Sequence, residues 1–352
     1  MQRACDAAFV RKAISLAERG LGHTRPNPPV GAVVVAGGKV IGRGWHRRCG
    51  GDHAEVAAIR DAQRRCGESA LAGASMYVTL EPCSRPGRVG ACTDAILASG
   101  IKRVVYAVPD PNPVNRGKAQ KVLRAGGVEC ECLTARALLS GMNEGERKLA
   151  RSEARSAALE AKRLVAPFAK HVLTGLPFVT VKIAMSLDGR ICDRFGGARW
   201  ISSDAARRET ARLRSRVDAV MVGAETVRRD DPSLLCRFGR NNDLFRVVVS
   251  RSGRLPKDAK VFSDSYVNPT LVYRDAREAI EDLGRRGFIH VLCEGGLSLA
   301  VSLAEAGLVD EWISVVAPVV IGERRIDQAK RPFHSSCVSL AGADAICRWF
   351  IK

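Results

Sequence analysis

The chain has 352 residues, 46% hydrophobic and 26% charged, a composition ordinary for a globular protein of two or three domains. No apolar run approaches the roughly 20 residues of a membrane span, and Met1-Gln2-Arg3-Ala4-Cys5-Asp6 has no apolar signal core, so a cytoplasmic protein with no membrane partner is expected. The twelve cysteines then read as reduced thiols with a metal site, and the net charge of +19, with scattered arginines and only 5% aromatics, argues against a nucleic-acid partner.

In chain order, residues 8–19 carry apolar side chains at helical spacing. Strands over 30–35 and 39–42 flank Gly37-Gly38 as a hairpin. His53 opens a helix carrying Val56, Ile59 and Ala62. Met76 to Leu80 reads as a buried strand, Cys92 to Ala98 as a helix closed by Gly100, and 103–108 as a strand. A helix at 119–123 and a strand at 128–133 follow, in which Cys130 and Cys132 share one face as packing residues. Glu144 to Arg163 reads as a charged, Ala-rich helix that links two domains, and Pro167 and Pro177 bracket the start of the second. Beyond them come strands at 178–184, 218–223, 246–250, 270–273, 288–293 and 311–318. Helices are expected at 204–216, 276–285 and 297–306. Alternating helices and strands imply two layered α/β domains, placed at 1–147 and 148–352, with a linker helix over about 144–170.

One constellation carries chemistry. His53-Ala54-Glu55 precedes a helix, Pro82-Cys83 follows a strand, and Cys92 opens another helix. One imidazole and two thiolates leave the fourth position of a zinc ion for water, whose pKa then falls toward neutrality. Glu55 need not be a ligand and can shuttle the proton. His-x-Glu followed by Pro-Cys and a second Cys is the arrangement of zinc deaminases that act on amino-substituted heterocycles. Two other readings stand beside it: a nucleic-acid base deaminase with an appended domain, and a structural-zinc binding module. Structural sites use four protein ligands, and no fourth Cys or His stands near these three. His46, His171, His290 and His334 have no evident partner in the sequence and read as structural. In the second half, Glu294-Gly295-Gly296 ends an apolar strand and precedes a helix, where glycines let a phosphate approach the helix N-terminus or serve the turn itself.

Eight residues separate Cys83 from Cys92. Thr79-Leu80-Glu81-Pro82-Cys83-Ser84, Gly87-Arg88 and Cys92-Thr93-Asp94 resemble the deaminase of riboflavin biosynthesis. So do Pro26-Asn27-Pro28, Val30-Gly31, Gly42-Arg43-Gly44-Trp45-His46 and Asp110-Pro111-Asn112-Pro113. Lys182 to Gly189, Trp200-Ile201, Asp218-Ala219-Val220, Gly223, Thr226-Val227, Asp230-Asp231-Pro232 and Glu294-Gly295-Gly296 resemble the reductase half of the same bifunctional family. The resemblance implies a cytidine-deaminase-like α/β/α sandwich followed by a dihydrofolate-reductase-like α/β domain. It implies one zinc per chain, NADPH, a pyrimidine ribosyl phosphate as small-molecule substrate, and a homo-oligomer. By motif, zinc falls to His53, Cys83 and Cys92, and catalysis to Glu55. NADPH contacts fall to Ala184, Trp200, Thr226, Asp230 and the turn Gly296, Leu297, Ser298, Leu299, Ala300, Val301 and Ser302. Substrate contacts fall to Asn27 in the first half and to Lys182, Ala198, Arg214, Leu234, Arg237 and Glu294 in the second. The chain departs from the family pattern at Val89-Gly90-Ala91, where Thr-Pro-Pro is usual, and at Arg85, where His is frequent. It departs again at Ala198, where Ser is usual, and at Ser250-Arg251, where Asp-Ser is usual.

Overall fold

The structure, a computed structural model, describes residues 6–85, 90–135, 143–195, 201–236, 244–266 and 268–323, together with the strand course of 333–341 and 344–351. The chain divides into two compact units. The first comprises 1–177 with 287–289; the second comprises 178–286 and 290–352. No helix among the described residues is long and apolar enough to cross a membrane.

The first unit is built on five strands: β1 (Gly31–Ala36), β2 (Lys39–Trp45), β3 (Ser75–Leu80), β4 (Arg103–Val108) and β5 (Glu129–Cys132). They lie in the order β2-β1-β3-β4-β5. β1 runs antiparallel to β2 and β3, while β3, β4 and β5 are parallel. Both faces of the sheet are buried, so β1, β3 and β4 are mostly apolar and alternate residues enter different cores. Val33, Val35, Tyr77, Val105 and Ala107 pack with α1 (Asp6–Ala17) and with Ala154, Ala157 and Ala161 of α5 (Glu144–Thr174). Ala32, Val34, Met76, Val78, Val104 and Tyr106 pack on the other side with α2 (Ala54–Cys66), α3 (Cys92–Ser99) and α4 (Lys118–Ala125). Cys130 and Cys132 belong to that second core. A buried Asp6 carboxylate takes both outer nitrogens of Arg103 at 3.0 and 2.8 Å and the Tyr77 hydroxyl at 2.7 Å. It ties the start of α1 to β3 and β4.

The start of α2 is held by an unusually close approach to β2. A Cβ on Gly44 would lie 2.2 Å from the Ala54 carbonyl oxygen, and one on Gly42 would lie 2.3 Å from that of Ala58. Both glycines face a helix stripe made of Ala54, Ala58 and Ala62, all fully buried. Only a hydrogen at these positions of β2 lets backbone meet backbone.

α5 is longer than the sequence suggests. Asn143 caps it with a full capping box to Glu146, and it continues through Pro167 to Thr174 before Gly175 turns left-handed. Pro167 lies within the helix. Its ring costs one helical hydrogen bond, but Val165 and Pro167 are both buried, and that packing carries the helix past it.

The second unit holds six parallel strands in the order β11-β6-β10-β7-β8-β9. These are β6 (Phe178–Ser186), β7 (Ala219–Gly223), β8 (Phe245–Val249), β9 (Thr270–Tyr273), β10 (His290–Cys293) and β11 (Glu311–Ala317). The longer helices are α6 (Asp204–Arg214), α9 (Ala276–Arg285) and α10 (Leu297–Glu305). Three further elements lie outside the sequence reading: α7 (Ala224–Asp230), the short α8 (Lys260–Ser263), and the antiparallel hairpin β12 (Phe333–Ala341) and β13 (Asp344–Ile351). α7 buries only Val227, too little for an apolar period. Serines 335, 336 and 339 dilute the alternation along β12.

The close approach sets a test. Gly44→Ala is expected to lower stability by about 1–3 kcal/mol through overpacking against helix backbone. Gly296→Ala, whose Cβ meets nothing within 4 Å, is expected to stay within about 0.5 kcal/mol. Calorimetric unfolding of both variants checks this, and a Gly44→Ala protein that melts like the parent contradicts it.

Candidate active sites

His53 is the N-cap residue of α2, and Glu55 lies in its first turn. Cys83 stands in the loop after β3, and Cys92 opens α3. The fold brings them together: His53 Nδ1 lies 3.2 Å from Cys92 Sγ and 3.5 Å from Cys83 Sγ, and the two sulfurs are 3.3 Å apart. A disulfide needs about 2.05 Å, so both thiols are free. Zinc bonds of about 2.0 Å to nitrogen and 2.3 Å to sulfur put tetrahedral donors roughly 3.5–3.8 Å apart, slightly wider than this triangle. Among the described residues the cluster consists of these three. The donor set and its spacing therefore fit a zinc ion with one position open.

Local backbone chemistry favours negative charge at the Cys83 sulfur. The Cys92 amide, at the α3 N-terminus, donates to Cys83 Sγ at 3.3 Å, and the Thr93 amide donates to the Cys83 carbonyl at 3.2 Å. Hydrogen bonding with Cys92, and then with His53, holds the Cys83 thiol well below its ordinary value. Glu55 is 3% exposed, and burial, ahead of the nearby Cys83 sulfur, pushes its carboxyl up to about 7. That carboxyl also hydrogen-bonds the Cys92 sulfur.

Two residues beyond the motif join this site. Glu81 Oε2 accepts from the Asp110 amide at 3.2 Å and the Gly117 amide at 3.0 Å. This fastens the Asp110-Pro111-Asn112-Pro113 segment to the loop that carries Cys83. His46, read from the sequence as structural and unpartnered, lies beside the triangle. Its ring stands edge-on to His53 with centroids 5.3 Å apart, and it hydrogen-bonds Asn27. Parity along β2 carries the signal: Gly42 and Gly44 face α2, and His46 continues that alternation. His290 has a partner too, Thr180 Oγ1 at 2.9 Å.

In the second unit the expected residues gather at the carboxyl ends of adjacent strands. Lys182 and Ala184 are on β6, Glu294 follows β10, and Thr226 and Asp230 are four apart on α7, which follows β7. Open α/β sheets bind ligands at that edge. Glu294 pairs with Arg214 through two contacts, 2.6 Å to Nε and 3.0 Å to Nη2, and Arg214 Nη1 donates to the Leu235 carbonyl at 3.2 Å. Burial lowers the Lys182 pKa, while Glu294 raises it and Arg214 lowers it. Leu234 is buried with φ of 54°, a left-handed backbone that costs a non-glycine residue about 1–2 kcal/mol. Gly295 packs against Leu299 and the backbone of Gly223, and Gly296 opens α10 with no side-chain cap and no atom within 4 Å of a built Cβ. This uncapped, open helix start suits a cofactor phosphate. The rest of the expected turn, Leu297 to Ser302, forms the first two turns of α10. Ala198, Trp200 and Arg237 lie outside the described residues.

Residues 3–108 match the family model described as the cytidine and deoxycytidylate deaminase zinc-binding region, and residues 177–343 match that of the RibD C-terminal domain. The riboflavin biosynthesis protein RibD of Aquifex aeolicus is 34% identical over 346 residues, covering 92% of this chain and 90% of the relative. That of Escherichia coli is 33% identical over 353 residues, covering 90% and 89%. A solved RibD structure from Acinetobacter baumannii is 31% identical, with a TM-score of 0.72 and 99% coverage of each chain. One from Thermotoga maritima, described as a diaminohydroxyphosphoribosylaminopyrimidine deaminase/5-amino-6-(5-phosphoribosylamino)uracil reductase, is 29% identical, with a TM-score of 0.76 and full coverage of both chains. The chain belongs to the RibD family of riboflavin biosynthesis and is a bifunctional enzyme, a zinc-dependent deaminase joined to an NADPH-dependent reductase.

Proposed function

We propose that residues 1–147 hydrolytically deaminate 2,5-diamino-6-ribosylamino-4(3H)-pyrimidinone 5′-phosphate, and that residues 148–352 then reduce its ribosyl group to ribityl. The observation that carries the first step is the His53, Cys83 and Cys92 triangle with a buried carboxylic acid beside it. Zinc, when bound there, supplies Lewis acidity that brings the pKa of water toward neutrality. His53, Cys83 and Cys92 hold the ion, and the first two amides of α3 keep Cys83 oriented. Glu55 takes the proton of the attacking water and delivers it to the departing amine. Asn27 contacts the heterocycle. A structural-zinc reading would require a fourth protein ligand, and the cluster offers three among the described residues.

For the second step NADPH supplies the hydride. Gly296 and the start of α10 receive a cofactor phosphate. Ala184, Thr226 and Asp230 line the cofactor at the ends of β6 and β7, with Trp200 completing its contacts. Arg214, Leu234, Arg237 and Glu294 hold the sugar phosphate, with Ala198 contributing through its backbone and Lys182 orienting the opened sugar. Arg214 braces Glu294 and the Leu235 carbonyl from the same edge. A homo-oligomer in the cytoplasm is an expectation carried by the family resemblance.

Three outcomes test this reading. Cys83→Ala and Cys92→Ala should each lose the bound zinc measured by elemental analysis; full occupancy in either rejects the ligand assignment. Glu55→Gln should keep its zinc yet deaminate about 10²–10⁴-fold more slowly, while still oxidising NADPH with already deaminated substrate. Arg214→Ala should deaminate normally but reduce poorly with a raised KM, because a charge-assisted contact to the substrate phosphate worth about 1.5–3 kcal/mol is lost. A folded Arg214→Ala protein that loses both activities alike contradicts the division of labour.

A further inference from the structure

His46 is 2% exposed, and both of its ring nitrogens are engaged. Nδ1 lies 3.0 Å from the Asp52 carbonyl oxygen. A carbonyl can only accept, so Nδ1 carries the hydrogen. In a neutral ring Nε2 then presents a lone pair. Its neighbour at 3.1 Å is the Asn27 amide nitrogen Nδ2, which is the donor. The orientation of the Asn27 carboxamide is therefore decided by the ring: the reversed amide would set Oδ1 against that lone pair. Asn27 Oδ1 remains as an acceptor with no protein hydrogen bond among the described residues.

The backbone that carries the ring is firmly held. The His46 amide donates to the Val30 carbonyl at 2.9 Å, and a Cβ on Gly20 would lie 2.5 Å from the His46 carbonyl oxygen. The Asp52 carbonyl belongs to the residue directly before His53. One imidazole thus connects the backbone of a zinc-ligand candidate to a half-buried amide more than twenty residues away in sequence.

We propose that His46 is a positioning residue of the deaminase site, acting through Asn27. As the Nδ1–H tautomer it fixes the Asn27 amide so that Oδ1 accepts from the ligand. The site thereby selects a heterocycle that offers an amino or ring N–H donor at that point. This rests on the deaminase reading above.

Two substitutions separate positioning from bulk. In His46→Gln, the side-chain oxygen reaches roughly the place of Nε2 and still accepts from Asn27. In His46→Asn, the amide can still donate to the Asp52 carbonyl but does not reach Asn27. The measurements use the full-length, zinc-loaded protein: deaminase kcat and KM, zinc content, and NADPH oxidation with deaminated substrate. His46→Asn should raise the deaminase KM about tenfold, the scale of one hydrogen bond, with zinc and reduction unchanged. His46→Gln should recover most of that loss, and adding His46→Asn to Asn27→Ala should cost nothing further. The nitrogen-15 resonances of His46 in the resting protein should show Nδ1 protonated and Nε2 bare. A protonated Nε2, an unchanged KM in His46→Asn, additive effects with Asn27→Ala, or zinc loss in both His46 variants overturns the proposal. If the parent protein fails to deaminate the pyrimidine phosphate, the deaminase reading falls, while the resting-state nitrogen-15 signature still decides the His46–Asn27 contact.

Discussion

The deaminase site depends on how closely α2 can lie on β2. His53 and Glu55 sit at the start of α2, so any change in the height of that helix moves a proposed metal ligand and the proposed proton carrier together. Gly42 and Gly44 on the strand, and Ala54, Ala58 and Ala62 on the helix, reduce the contact to backbone against backbone. Side chains at this interface would raise the helix by more than the tolerance of a metal site. The same strand runs on to His46, so the packing that lowers the helix also brings a second imidazole up to the first.

Both units use the same economy. Reactive groups sit where a strand gives way to a helix, because backbone N–H groups and the helix dipole there stabilise negative charge. In the first unit the beneficiary is the sulfur of Cys83, which receives the Cys92 amide at the start of α3, while the Thr93 amide holds the Cys83 carbonyl. In the second it is the uncapped start of α10 at Gly296. Charged side chains at these junctions are braced: Glu81 holds two amides of the segment over 110–117, and Glu294 holds Arg214. Such bracing keeps a site in its productive geometry before any ligand arrives.

Much of this was legible in the residues, and what was not has identifiable causes. The clustering of His53, Cys83 and Cys92 could be read because each residue sits in a local motif: His-x-Glu at a helix start, Pro-Cys after a strand, Cys at a helix start. The alternating elements of both units were readable from period-two and helical patterning. His46 escaped because its importance lies in contacts with Asn27, Asp52 and His53 that only the folded sheet creates. The pairing of Arg214 with Glu294 spans 80 residues and leaves no local trace. The last turn of α5, to Thr174, escaped because burial of Val165 and Pro167 carries the helix past a residue that usually ends one. α7 escaped because a seven-residue helix with one buried side chain has no period to detect.

The account stands most directly on the open position at the zinc site. X-ray absorption at the zinc edge of the full-length protein measures the ligand set. One imidazole nitrogen, two sulfurs and one further light atom from solvent or substrate are expected, with bonds of about 2.0–2.1 Å to nitrogen and about 2.3 Å to sulfur. A shell of three or four sulfurs, or of four protein ligands that persists unchanged when substrate is added, would contradict a hydrolytic site and make the metal structural.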